Sequence, residues 1–372
     1  MIILYTGIIL ILYSIFTGEL SNNYKLKIGF MFAFLIMAFQ SNVEGDYMSY
    51  MEEFGSGDTR TIEDEPLWVY IQMPFYPFGW QVFYFFMASF QVWVVYRLAK
   101  LYAANKYQYL GAILFFFTFG LMLIQMKVLR QGLAIEVCLL PFLLNVEKKK
   151  SLWQRLIVCY LPVIIAFFIH NSAIVGIIPA TLLFLMQQKG CSTQQNSSNR
   201  GEWFWPIVMA SCFYVVYILK QTLFEGFFTQ LSTLLTLNDM RLGGYLEKDQ
   251  EEGIFQLSQL LVFYDAVMVF FTTWLLRYVN GSIRVLCLMS IVSFFADTLF
   301  FGMGSLPRIG YFFTIANVAI IPCIANQIKI RFGRKFALLF VVFCIGYAVK
   351  TSLPWITGME DDRFGNYRFV FM

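Results

Sequence analysis

LWQRLIVCYLPVIIAFFIHNSAIVGIIPATLLFLMQ, residues 152–187, decides how the rest of the chain is read. An apolar run leads up to His170, and a second begins directly after it. A helix needs about 20 mostly apolar residues to cross a bilayer. The stretch therefore reads as two spans, near 152–169 and 171–187, joined by a tight turn at the chain's only histidine. That histidine has Asn171 and Ser172 beside it, so the turn holds polar chemistry between two stretches made for lipid.

The same pattern fills the chain. Hydrophobic residues make up 59% and charged residues 13%, and the mean hydropathy is +0.65. Soluble domains average about 45–50% apolar and about 25% charged. These values predict an all-α polytopic membrane protein, residues 1–372 forming one integral membrane domain. Roughly twelve transmembrane helices are expected, near 2–18, 26–41, 79–98, 108–126, 127–145, 152–169, 171–187, 203–220, 257–277, 283–303, 309–328 and 335–352. The N-terminus lacks a basic region and a small-residue cleavage site, so it reads as a retained first span. Of the seven cysteines, six lie in apolar runs, and no CxxC or Cys–His spacing points to a metal centre or a disulfide framework. The net charge of +4 gives no reason to expect nucleic acid.

The charges sort by side. With Lys148, Lys149 and Lys150 placed inside, that side also receives Lys25, Lys27, Arg97, Lys100, Lys106, Arg155, Lys189, Arg200, Arg277, Arg284, Lys329, Arg331, Arg334 and Lys335. That is 17 of the 27 basic residues against three acids, Glu19, Glu147 and Glu202. An excess of Lys and Arg marks cytoplasmic loops. Two longer segments then fall outside, 42–78 and 221–256, both acidic. In the first, Tyr47, Tyr50, Met51 and Phe54 recur at helical spacing, which predicts a short amphipathic helix lying on the membrane. Leu223, Phe224, Phe227, Phe228 and Leu231 do the same in the second.

Unusual polar residues collect on the outer side. They are His170 at the end of the sixth span, Lys127, Arg130 and Gln131 at the start of the fifth, Arg308 at the start of the eleventh, and Asp46, Glu65, Arg241 and Tyr245 in the outer segments. Arginine at a helix centre costs about 2.5–3.5 kcal/mol on insertion scales, less near the ends. Two outer arginines also oppose the positive-inside bias. A phosphate or pyrophosphate at the outer leaflet accounts for both, because guanidinium binds phosphate oxygens bidentately and stays charged. Snorkelling to the interface is the plainer alternative. Histidine titrates near neutral pH and suits a general base, though a lone interfacial histidine also serves as a helix cap. Glu136, Asp265 and Asp297 lie inside predicted spans, where an acid is a functional candidate. Glu136 also has the simpler reading of a neutralising partner for Lys127 or Arg130.

Five elements in order, over residues 46–313, resemble the EpsG/Wzy-type family of polysaccharide polymerases: DYMSYMEEF (46–54), DEPLW (64–68), LRQGLA (129–134), FFIHNSAIVG (167–176) and RIGYFF (308–313). The chain departs from the family pattern at Glu44, where a glycine is common, and at Gln40, where an arginine often stands.

The resemblance implies a GT-C-like helical fold in the bacterial inner (cytoplasmic) membrane. The reaction it implies is glycosyl transfer at the outer, periplasmic face, joining oligosaccharide repeats carried on undecaprenyl pyrophosphate. Carried onto this chain, His170 is the favoured base, with Asp46 or Glu65 as its rival. Arg130, Arg308, Lys127 and Gln131 hold the pyrophosphate. Tyr47, Tyr50, Trp68, Arg241 and Tyr245 contact sugar. No cofactor or metal is expected. The expected partners are the lipid-linked donor and acceptor, membrane lipid, and a chain-length regulator or other assembly proteins. A flippase for the same lipid-linked sugars, a ligase moving finished glycan, and a non-catalytic membrane subunit are the rival readings.

Overall fold

A computed structural model describes residues 2–16, 22–41, 46–56, 65–118, 121–144, 151–188, 203–220, 259–300, 307–357 and 368–369. Apart from a two-residue antiparallel ladder, Gln40–Ser41 (β1) with Arg368–Phe369 (β2), the described chain is helical. It divides into two compact units, one of residues 1–191, 281–283 and 317–372, the other of 192–280 and 284–316.

The first unit contains α1 (Ile2–Phe16), α2 (Asn22–Ala38), α3 (Asp46–Glu53), α4 (Pro66–Gln72), α5 (Trp80–Tyr102), α6 (Gln108–Phe117), α7 (Met122–Lys127), α8 (Leu129–Leu143), α9 (Leu152–Ile169) and α10 (Ile177–Gln188). Short 3-10 turns, Met73–Phe78, Asn105–Tyr107 and Asn171–Gly176, link some of them. α15 (Asn317–Phe332) and α16 (Arg334–Thr357) complete the unit. Its core is built by α5 and α6 with α2, α8 and α15 around them. Phe83, Tyr84, Phe115, Phe116, Phe117 and Phe142 are fully buried there. α6 passes so close to α15 that a Cβ on Gly111 would stand 2.7 Å from the Val318 carbonyl oxygen, so only glycine fits.

The second unit contains α11 (Phe204–Leu219), α12 (Gln259–Leu275), most of α13 (Gly281–Phe300) and α14 (Pro307–Thr314). α11 packs on α12, with Trp203 stacked on Phe270 and Trp274 at 5.8 and 5.9 Å. Inside it Lys220 Nζ donates to the Thr298 carbonyl at 2.8 Å, and Thr298 Oγ1 donates to Asp265 Oδ2 at 3.2 Å.

Every apolar run carries helix, and among the described residues fewer helices than runs are long and apolar enough to cross. α5, α9, α13 and residues 334–353 of α16 meet the length and apolarity of a span, and α14 with α15 make a fifth if counted as one. Some runs also carry breaks that hydropathy does not register. The run near 108–126 stops at Phe117 and resumes at Met122, and the one near 171–187 opens with a 3-10 turn. The α9 surface is apolar outward as well as inward: Trp153, Ile157, Leu161, Ile164 and Phe168 are exposed. A helix that turns such residues outward is suited to hydrocarbon. The chain is a multi-pass membrane protein.

The segment 42–78 does hold the short helix expected, α3, but its aromatic face is turned into the protein rather than lying on lipid. Tyr47 packs edge-on against Trp80 and Tyr84, and Tyr50 against Trp68. The reason is satisfaction of the phenol. Tyr47 Oη accepts from Trp80 Nε1 at 3.1 Å and donates to the Gln40 carbonyl at 3.3 Å, bonds that a lipid surface does not supply. The segment 221–256 lies outside the described residues.

Candidate active site

Glu65 is the last residue before α4, whose first position is Pro66. Proline suits that position because its missing N–H is one of the helix's unpaired donors anyway. The Glu65 carboxylate does not cap its own helix. It turns across to α8 and to the end of α9, and both of its oxygens are used there.

Oε2 accepts from Arg130 Nη1 at 2.9 Å. Arg130 is the second residue of α8, just past Val128, where the chain breaks between α7 and α8. Oε1 is hydrogen bonded by His170 Nδ1 and also accepts the Asn171 backbone N–H at 3.2 Å. His170 sits where α9 ends. Its N–H still donates to the Ala166 carbonyl, but its backbone is extended, and a 3-10 turn follows. The turn aims both the imidazole and the next amide at one carboxylate oxygen. A carboxylate accepts and does not donate, so Nδ1 carries the proton of this bond.

Glu65 is 8% exposed, while Arg130 and His170 each keep 24%. The acid is the interior member of the cluster, and Arg130 and His170 form its outer edge. The Arg130 guanidinium lies over the Tyr50 ring at 4.9 Å, and Trp68 backs that ring at 5.5 Å. Arg130 Nε and Ser172 Oγ are buried without a hydrogen-bond partner among the described residues.

Burial works to raise the Glu65 carboxyl, but the hydrogen bond and charge of His170, the charge of Arg130 and the Asn171 amide outweigh it, and the group is held below its ordinary 4.5. A depressed carboxyl stabilises the fold above its unfolded value, and that stabilisation is lost as pH falls through the lower folded value. Between about pH 7 and 4.5 Glu65 therefore stays ionised, and below that its share of stability disappears. Unfolding temperatures measured across acid pH are expected to fall more steeply for the wild type than for Glu65→Gln. Parallel profiles would contradict this.

The structure thus brings together Glu65, Arg130 and His170, with Tyr50 beneath the guanidinium. Tyr47 and Trp68 are 1% exposed, and their ring faces are covered by protein. Gln131 is 1% exposed and turned into the core. Lys127 is half-buried at the end of α7. Arg308 is the second residue of α14 in the second unit, half-buried. The Asp46 side chain, Arg241 and Tyr245 lie outside the described residues. Glu136 pairs with neither Lys127 nor Arg130: Gln125 Nε2 donates to it inside the core. Gln40 is fully buried, donating to Tyr84 Oη at 2.6 Å and to the Met126 carbonyl at 3.2 Å.

One contributor escaped the sequence reading. The Asn171 amide has no sequence signal, since every residue but proline carries one. Tyr50, expected to contact sugar, lies with its ring under the guanidinium.

No curated protein and no solved structure matches the chain. A family model described as "EpsG family" matches residues 2–359, nearly the whole length, so the chain belongs to the EpsG family.

Proposed function

We propose that this membrane protein is a polysaccharide polymerase, transferring a growing glycan from its undecaprenyl pyrophosphate carrier onto the next lipid-linked repeat at the outer face of the bacterial inner membrane. The observation that carries this reading is the sharing of one carboxylate by Arg130 and His170 in a member of the EpsG family.

In this reading His170 Nε2 takes the proton of the attacking sugar hydroxyl. The new bond forms from that oxygen to the anomeric carbon as the bond to the pyrophosphate oxygen breaks. Glu65 is the positioning residue: it fixes the ring through Nδ1 and stabilises the imidazolium that forms. Glu65 is therefore the partner of His170 rather than its rival as base. Arg130, with one nitrogen on Glu65 and its Nε unpartnered, supplies donors to the departing pyrophosphate. Arg308 and Lys127 are the further candidates for the pyrophosphate. Arg241 and Tyr245 are the candidates for the sugars.

The charge sorting supports the placement. In the first unit the basic residues assigned inside gather where α5 ends, and the Glu65 cluster lies where α8 begins. About twelve crossings of a GT-C-like fold complete the arrangement. A flippase path through the second unit is disfavoured by Asp265, which is 2% exposed and bonded to Thr298.

Reconstitution in liposomes with synthetic lipid-linked repeats tests the proposal. A ladder of products rising by one repeat is expected. Transfer of a finished glycan without a ladder identifies a ligase, and movement of unmodified repeats across the bilayer identifies a flippase.

A further inference from the structure

α5 runs 23 residues from Trp80, beside Tyr47, to Tyr102, about 33 Å at 1.5 Å per residue. Tyr102 Oη donates to the Phe142 carbonyl near the end of α8, so α5 and α8 run the same way. The Glu65 cluster therefore belongs to one end of the first unit, and the region around Tyr102 to the other.

At that other end a cavity of about 340 Å³ is lined by Asn22, Asn23, Lys100, Asn105 and Gln108. Gln108 Nε2 secures its wall by donating to Asn105 Oδ1 at 3.1 Å and to the Lys100 carbonyl at 3.2 Å. Next to Asn105, the turn 105–107 that carries Lys106 packs on α15, which carries Lys329, and Arg334 opens α16 directly after it. The turn at Gly333 makes this possible. Its φ of +94°, in the left-handed region, folds α16 back so that Arg334 returns beside the last turn of α15. Contact with Lys329 and its charge, then burial, then Arg334 hold the Lys106 amine below its ordinary value. None of α2, α5, α6, α15, α16 or the turn 105–107 contains an Asp or Glu. Three cations carried by elements that hold no acid among them set up a positive field that attracts an anion.

We propose that Lys106, Lys329 and Arg334 bind the phosphate of an anionic phospholipid, whose headgroup enters the adjacent polar cavity. The choice of a lipid over a free phosphate rests on what surrounds the cations. Ile330 and Phe332 at the end of α15 and Phe336 at the start of α16 are exposed by 65%, 43% and 61%. Acyl chains cover such residues while the phosphate meets the ammonium groups, and basic pockets between helices at the cytoplasmic side hold lipid headgroups in this way. The site is separate from the Glu65 cluster, and its readout does not depend on polymer synthesis.

The test is the unfolding temperature of the full chain in neutral detergent at fixed ionic strength, with phosphatidylglycerol, phosphatidylcholine or inorganic phosphate added. Phosphatidylglycerol is expected to stabilise it and phosphatidylcholine is not. Apparent affinity for phosphatidylglycerol is expected to fall about fivefold for each cation removed in Lys106→Gln and Lys329→Gln. Without lipid the same variants are expected to be at least as stable as the wild type, because a like-charge contact is relieved. Lys350→Gln, 16 positions along α16 from Arg334, is expected to leave the lipid response unchanged. Equal stabilisation of the wild type and the double variant by phosphatidylglycerol overturns the site. Stabilisation by inorganic phosphate alone, lost in the double variant, overturns the lipid and assigns the cations to a soluble phosphate.

Discussion

Glu65→Gln is expected to lower the rate of polymer formation by about 10³–10⁴-fold while leaving the protein folded. Glutamine keeps the shape of the side chain but replaces an acceptor-only group by one that also donates. An amide N–H facing His170 Nδ1 drives the ring to the other tautomer, with its proton on Nε2, where the attacking hydroxyl needs a lone pair. The variant also leaves the Arg130 guanidinium without its charge partner, in a place where it is only 24% exposed. The measurement is initial polymer yield from reconstituted protein, with unfolding temperature as the control for fold. Glu65→Asp, which keeps the charge but shortens the reach, is expected to fall between the two. Wild-type rates from a folded Glu65→Gln protein would remove Glu65 and the tautomer argument together.

Arg130→Lys is the second large effect, with an expected loss of about 10²–10³-fold in polymer formation. Lysine preserves the charge, so a role limited to neutralising Glu65 predicts little change. It does not preserve the planar fork, which lets one nitrogen bond Glu65 at 2.9 Å while others remain for phosphate oxygens. Its ammonium also lacks the flat face that lies over Tyr50. Because Arg130 and His170 act through the same carboxylate, Glu65→Gln combined with Arg130→Lys is expected to lose little more than the worse single variant. Full multiplication of the two losses would show that the residues work independently.

Hydropathy alone located helix in every apolar run, because an apolar run meets the same lipid or core wherever the helices settle. It does not register where local backbone breaks interrupt a run, as between Phe117 and Met122. It placed α3 correctly and misjudged its surroundings, since aromatic residues at helical spacing suit a lipid surface and a protein interior equally well. Among the site residues, Arg130 and His170 stood out because each is an unexpected group in an apolar context. Glu65 was named beside Asp46 as a rival base, but nothing in its acidic segment joined it to Arg130 and His170.

What the sequence by itself determined is the class of molecule, its helices, its charge asymmetry and the two polar residues most out of place in lipid. These follow from the solvent each segment is built to meet, which is a local property. Only the tertiary structure decided that Glu65 joins Arg130, 65 positions away, and His170, 105 positions away, on one carboxylate. Contacts over such separations depend on how helices pack and where their ends fall, and hydrophobic periodicity leaves that open.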